Sequence, residues 1–422
     1  MHRILFHFCY PLIIFVFLYL SACDRTPKGR TDTPIPGILL GQEGPLGRSI
    51  RVLLADGLQE LGVKFVGSVD IVDSVSREVL ESGVSLPELT FIFDESGIQG
   101  IEINRNFESP SIDLVFNESN SIAVQLPDGL KKYRGKLRLV REDEGRSLVV
   151  NILDLETYLI GVVAAELQKS FRKEAFRAQA IIARTYAWYQ KRRYGKLREW
   201  DVKASEGSQV YAGLEREKLV PQARRAVRDT RGLVCTWTSP EGERIFCTYY
   251  SSRCGGTTQA SGPVKHEKVI APLAGNVICW YCRRHPYSWE SVRIEKSLLT
   301  EQLRDRYQKF NSIGPIDDLK VWSETSAGRP VMLSLIDSEG QAIELEAENF
   351  RLVVDPSGRM VKSTMFVPMV EDDAIILTEG RGFGHGMGMC QYGANDLAKE
   401  GWKAGEILRY YYPTSRLSRA YE

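Results

Sequence analysis

Asp154-Leu155-Glu156-Thr157-Tyr158-Leu159-Ile160-Gly161-Val162-Val163-Ala164-Ala165-Glu166 is where the chain changes its hydrophobic period. Asp154 has the side chain of a helix N-cap, and Glu156 is an acid in the first turn, where the helix dipole favours negative charge. Leu155, Tyr158, Leu159, Val162 and Val163 recur at three- and four-residue spacing, the mark of a helix that buries one face. The pattern breaks at Gln168-Lys169-Ser170. It resumes as a longer helix from Phe171 to about Arg193, with Ala175, Ala178, Ile182, Tyr186 and Tyr189 along one side. A third helix is expected from Pro221 to Arg231, stopped near Gly232.

On both sides of this helical stretch the period drops to two. N-terminal to it, Ile50 to Leu54, Glu88 to Phe93, Ser111 to Phe116, Ser121 to Leu126, Lys136 to Val140 and Ser147 to Ile152 alternate as half-buried strands do. C-terminal to it, Leu233 to Thr238, Arg244 to Tyr250, Asp318 to Glu324, Val331 to Ile336 and Ala342 to Glu346 read the same way. A polar helix falls near 294–309, a glycine-dense segment spans 380–393, and a short helix ends near Tyr410. The expected class is α+β: a β-rich part at 49–152, a helical centre at 153–232 carrying Glu166, and a β-rich, glycine-rich return at 233–415.

Composition removes some functions and names none. The 422 residues carry 55 Lys+Arg against 54 Asp+Glu, a net charge of +1. A protein that blankets nucleic acid needs a basic excess, so no nucleic-acid partner is expected. With 43% hydrophobic and 26% charged residues, the chain is ordinary for a folded protein. The apolar run Tyr10 to Leu20 is too short to span a bilayer comfortably, and it ends in Leu20-Ser21-Ala22-Cys23. It resembles a bacterial lipoprotein signal. The expectation is a signal peptide at 1–22, lipidation at Cys23, a tether over 23–48, and a location in the cell envelope, anchored to a membrane outside the cytoplasm.

Three segments carry a recognisable pattern: Leu155 to Leu167, Ala178-Gln179-Ala180-Ile181-Ile182-Ala183-Arg184-Thr185-Tyr186, and Gly384-His385-Gly386-Met387-Gly388-Met389-Cys390-Gln391-Tyr392-Gly393-Ala394. Tyr133-Arg134-Gly135, Ser208-Gln209-Val210-Tyr211, Tyr249-Tyr250-Ser251-Ser252 and Gly255-Gly256 support them. Together they resemble the SpoIID/LytB family from about Ile50 to Pro413. The resemblance implies cell-wall chemistry. SpoIID members are lytic transglycosylases that cut peptidoglycan glycan strands, preferring strands stripped of stem peptides, beside an amidase that does the stripping. LytB members are amidase enhancers.

The family's catalytic glutamate falls on Glu166. A glycosidic oxygen is a poor leaving group and needs a proton. Apolar neighbours from Val162 to Ala165, and the negative end of a helix, both disfavour the carboxylate and favour a general acid. The competing reading is a solvated glutamate paired with Lys169 or Arg172. Hydrolysis would need a second carboxylate, for which Asp201 and Glu206 are nearest; the resemblance implies instead that the sugar's own 6-hydroxyl attacks, giving a 1,6-anhydro end. Arg184 has two readings, orienting Glu166 or a substrate N-acetyl group, and a structural ion pair. Tyr250, Ser251, His385 and Gln391 are candidate glycan-contacting or site-orienting residues. Tyr392 and Trp402 could stack on sugars or fill the core.

Catalysis is expected to need no cofactor. Cys279-Trp280-Tyr281-Cys282-Arg283-Arg284-His285, with Cys254 upstream, gives Cys254, Cys279, Cys282 and His285 as ligands for a structural zinc, or cysteines for disulfides, with Cys247 and His266 as alternative ligands. Cys390 reads as a small buried residue or a disulfide partner. The segment Asp201 to Gln209, where some family members hold zinc, has no Cys or His here.

Overall fold

Helix α1, Leu155–Glu166, is buried along most of its length, and Asp154 caps it by accepting from the Thr157 N–H at 3.1 Å. It packs against α2 (Lys173–Tyr194), α3 (Gly213–Leu219) and α4 (Pro221–Asp229). Such all-round burial explains why α1 is so apolar: an amphipathic helix would expose a polar face that this position lacks. The computed structural model describes residues 38–39, 48–116, 121–142, 146–205, 207–262 and 268–421. The expected signal peptide, Cys23, Glu206 and His266 lie outside them. No helix among the described residues is long and apolar enough to cross a membrane.

The N-terminal part is two antiparallel-rich sheets sharing one core. One sheet runs Gly129–Tyr133, Ile122–Leu126, Glu60–Lys64, Glu88–Asp94, Gly97–Gly100, Arg105–Phe107. The other runs Val202–Lys203, Ser49–Asp56, Ser147–Asp154, Lys136–Arg141, Ser111–Phe116, Val69–Asp73, Val79–Val84. Leu61, Val63 and Phe91 from the first join Ile112, Leu137 and Leu139 from the second in a single apolar cluster that continues into α1. Ser147–Asp154 leads directly into α1, so the core sheet fixes the helix's entry.

The C-terminal part forms two further cores. Leu233–Ser239 lies between Gly242–Ile245 and Arg416–Arg419 in a sheet against α2. Ile38–Leu39, inside the expected tether, extends this sheet as an edge strand on Gly242–Ile245. A separate apolar cluster joins Ile294, Leu299, Leu335, Phe350 and Leu377 from two three-stranded sheets and their helices. Among the described residues, the remaining α-helices are α5 (Trp280–Arg284), α6 (Lys296–Arg306), α7 (Ala347–Val354), α8 (Gln391–Lys399) and α9 (Ala404–Tyr411). The α+β expectation holds, with a β-rich part on each side of the helical centre.

Candidate active site

Helix α1 stops at Glu166 because Leu167 turns to extended backbone, φ −111° and ψ 145°, while its N–H still bonds the Val163 carbonyl. Glu166 is half-buried. Donors from three separate segments converge on it. Val210 N–H and the Tyr250 hydroxyl each donate to Oε1 at 3.1 Å, and Gln391 Nε2 donates to Oε2 at 3.0 Å.

Each donor is delivered by local structure. Gly161 lets the Tyr211 ring lie on α1, since a Cβ there would stand 2.5 Å from the ring, and Tyr211 sets the position of Val210 beside it. Tyr250–Ser251 pairs in parallel with Met389–Cys390, so Gln391, the first residue of α8, arrives next to Tyr250. That pairing needs Gly388, whose φ of 63° and missing Cβ clear the Tyr249 carbonyl. Behind Tyr250 runs a polar chain. The Tyr158 hydroxyl donates to Gln209 Oε1 at 3.2 Å, and Gln209 Nε2 donates to the Tyr250 oxygen at 3.2 Å and to the Ala183 carbonyl at 3.3 Å. Burial, and then the Glu166 charge, push the Tyr250 hydroxyl well above the ordinary tyrosine value, so it stays protonated and donating at neutral pH.

Other candidates fall elsewhere. Arg184 does not orient Glu166. It is fully buried, and its fork grips Glu156 with two bonds of 2.8 Å, from Nε and NH2, while NH2 also reaches the Val227 carbonyl and NH1 the Leu233 carbonyl. Of its two readings, the structural ion pair is the one realised. Asp201 is held by Arg51 at 2.8 Å, in a role that ties the Val202–Lys203 strand to the sheet. Ser251 is buried, with a hydroxyl that meets no partner among the described residues. His385 Nδ1 accepts from the Met387 N–H at 3.0 Å, and its ring lies edge-on to Tyr249, 6.0 Å between centroids. Its neutral tautomer therefore carries the proton on Nε2. Trp402 packs edge-on to Tyr410 in a core of the C-terminal part.

Residue-type reasoning missed Gln209, Val210 and Arg253. The first two lie in the quoted Ser208–Tyr211 motif, so a signal existed without a role attached. Arg253 sits 3.8 Å from the Tyr392 ring centroid, 4.8 Å from Tyr287 and 5.7 Å from Tyr281. Tyr281 and Tyr392 stack at 5.8 Å, and the Gln168 amide donates to the Tyr392 hydroxyl at 2.6 Å. A half-buried ridge of aromatic faces and one cation thus begins two residues past Glu166. A cavity of about 370 Å³ is lined in part by Tyr281, Arg284, Asp396 and Tyr410; Glu166 does not line it.

The cysteine expectation is corrected at one ligand. Cys254, Cys279, Cys282 and Cys390 are buried, with sulfurs all within 4.8 Å of one another, an arrangement that could hold a metal ion. His285 is exposed at the end of α5, its ring 5.0 Å from Tyr281, and belongs to no such group among the described residues. Cys390 takes the fourth corner because the glycine-rich return passes under α5, a proximity that linear spacing does not encode. Cys247 is buried elsewhere, accepting from Gln190 Nε2.

Residues 143–237 match the SpoIID family, described as Stage II sporulation protein. An uncharacterized protein of Brachyspira hyodysenteriae is 31% identical over 284 residues, covering 67% of this chain and 71% of its own. Stage II sporulation protein D of Bacillus subtilis is 27% identical over 288 residues, 64% of this chain and 76% of its own. The Bacillus subtilis protein named amidase enhancer is 26% identical over 299 residues, 62% of this chain and 40% of its own. The family match contains α1, Glu166, α2 and Val210, while Tyr250 and Gln391 reach the same carboxyl from beyond it. On the sequence motifs and these likenesses together, the chain belongs to the SpoIID/LytB family of cell-wall-related proteins.

Proposed function

We propose that this protein is a peptidoglycan lytic transglycosylase with Glu166 as its acid and base. The observation that carries the reading is the setting of Glu166: a half-exposed carboxyl at a helix end, gripped by three neutral donors. Oε1 accepts from both Val210 and Tyr250, and Oε2 is assigned the transferable proton. Glu166 gives that proton to the glycosidic oxygen as the bond from the sugar C1 breaks. The sugar's 6-hydroxyl then bonds to C1 and returns its proton to Glu166. The products are a 1,6-anhydro end and a free hydroxyl on the leaving strand, and no water is consumed. One carboxyl suffices for this sequence, which agrees with the engagement of Asp201 by Arg51. Denuded glycan is the proposed substrate, with the Arg253–Tyr392 ridge supporting its passage beside Glu166.

The test is mass spectrometry of denuded peptidoglycan incubated with wild type and Glu166→Gln. Wild type should release anhydro-ended saccharides, and the variant, with the same circular dichroism, should release none. Full activity in the variant would reject the assignment. The likeness to the amidase enhancer favours a second reading, in which the protein binds glycan and stimulates a cell-wall amidase without cutting. Stimulation that survives Glu166→Gln, with no anhydro products from wild type, would select it. We also propose anchoring of the exported chain in the cell envelope through a lipid on Cys23. Cys23→Ser should then move the protein from the detergent-soluble membrane fraction to the soluble one.

A further inference from the structure

We propose that Cys254, Cys279, Cys282 and Cys390 bind one Zn(II) as a tetrahedral all-thiolate site, and that this ion clamps together two of the three chain segments that hold Glu166. The sulfur geometry fits. With Zn–S bonds of about 2.3 Å, tetrahedral sulfurs stand about 3.8 Å apart. The Cys282 and Cys390 sulfurs are 3.5 Å apart, and all four lie within 4.8 Å of one another. Cys279 and Cys282 supply the close-spaced pair, from the start and the body of α5.

Two donors aim at the cluster sulfurs, although Cys390 Sγ also lies 3.5 Å from the Ser252 carbonyl oxygen. The Gly393 N–H donates to Cys390 Sγ at 3.4 Å, and the Tyr411 hydroxyl donates to Cys279 Sγ at 3.4 Å. Donors aimed at ligand sulfurs orient them and spread their charge. Gly393 is required for this closeness, because a Cβ there would stand 2.5 Å from Cys279 Sγ. Charge provides an independent pointer. Arg329 is fully buried, and among the described residues it makes no ion pair with a carboxylate. Its NH2 donates to the Cys254 carbonyl at 2.8 Å, its NH1 reaches the Gly384 carbonyl and the Thr364 hydroxyl, and its Nε has no partner. A buried guanidinium with no carboxylate in hydrogen-bond contact is costly, and the charge of Glu348 only partly offsets that cost. A zinc tetrathiolate carries net negative charge and adds counter-charge on the Cys254 side of Arg329.

The link to Glu166 follows from chain position. Cys390 immediately precedes Gln391, the donor to Oε2, and Cys254 follows four residues after Tyr250, a donor to Oε1. The two segments pair through Tyr250↔Met389 and Ser251↔Cys390. The clamp's meaning for catalysis rests on the Glu166 reading; the metal site itself does not.

The full chain, purified without added metal, should hold about one zinc per molecule, released when a mercurial titrates the thiols. Cobalt substitution should give thiolate-to-cobalt charge transfer and the visible bands of tetrahedral Co(II). Cys282→Ser and Cys390→Ser should lose the metal, whereas His285→Ala and Cys247→Ser should keep it. Tyr411→Phe should weaken zinc binding about 10- to 100-fold. Zinc-free protein with its thiols intact, or peptide maps showing these cysteines joined in disulfides, would overturn the site. Hydrogen exchange tests the clamp. Zinc removal should speed exchange at 250–254 and 390–393 and leave α1 unchanged; equal rates with and without zinc would reject it.

Discussion

Tyr250→Phe isolates the hydrogen bonding that governs Glu166. The substitution keeps the ring and removes one oxygen, which donates to Glu166 Oε1 at 3.1 Å and accepts from Gln209 Nε2 at 3.2 Å. Gln209 retains its bond to the Ala183 carbonyl at 3.3 Å, so the change leaves no orphaned donor. Stability should therefore fall by only about 0.5–1.5 kcal/mol, the net worth of an ordinary hydrogen bond. The effect on rate is larger, because the acceptor is a carboxylate whenever Glu166 has given up its proton. A hydrogen bond to a charged group contributes about 1.5–3 kcal/mol, which corresponds to roughly a 10- to 150-fold loss in kcat. KM should change little, since the hydroxyl faces Glu166 and Gln209. The assay is the initial rate of anhydro-saccharide release from denuded glycan across a range of substrate concentrations, followed by mass spectrometry. Because the Tyr250 hydroxyl is held well above the ordinary tyrosine value, the loss should be constant through the neutral range. Wild-type kcat in the variant would refute the coupling of Tyr250 to Glu166. A loss as complete as that of Glu166→Gln would refute it from the other side, by making Tyr250 itself a reacting group.

Three further outcomes follow from the geometry. Arg184→Met removes the charge partner of the buried Glu156 carboxylate, which is 6% exposed and keeps the Tyr421 hydroxyl as a donor, and should cost about 3 kcal/mol in urea unfolding, while the double variant Glu156→Leu/Arg184→Met recovers most of it; a single variant with wild-type stability and lost activity would return Arg184 to the active site. Gly161→Ala drives a methyl into the Tyr211 ring and should cost about 1–3 kcal/mol, with a fall in activity as Val210 leaves Oε1, checked by thermal unfolding and product release. Burial raises the Asp113 carboxyl, but hydrogen bonds from Arg138 and Lys136 outweigh it and hold the group below the ordinary aspartate value. Its stabilisation is thus present in full above pH about 4 and is lost as pH falls below that, so Asp113→Asn should flatten the acid limb of a stability–pH curve measured by urea unfolding.

Local patterns in the chain were enough for three of the four helices of the centre; α3, Gly213–Leu219, is too short to show a period. Asp154 as N-cap, the apolar spacing to Val163 and the stop before Gln168 depend on neighbours three or four residues away, and α1 begins and ends where they indicate. The longer strands, such as Ser111–Phe116 and Lys136–Arg141, were legible for the same reason. Glu60–Lys64 was not, because Gly62 and its short length leave too little alternation to read. Helix α8 escaped too: Gly393, Asn395 and Asp396 are poor helix formers, and the helix is held by packing against Tyr411 and Cys279. Glu166 itself was marked by its motif, but its partners Val210, Tyr250 and Gln391 come from 44, 84 and 225 residues away. The same distance in sequence separated Cys390 from Cys282, 108 residues apart, and made the exposed His285 look like the fourth ligand. Arg184 could be read two ways from its position on α2, and only the packing of α1 against α2 put Glu156 within its reach. Sequence alone determined what depends on nearest turns and strand alternation: the element types, the helix end and the acid on it. Tertiary structure decided which distant polar groups meet, because those meetings depend on how the sheets and helices close around one another.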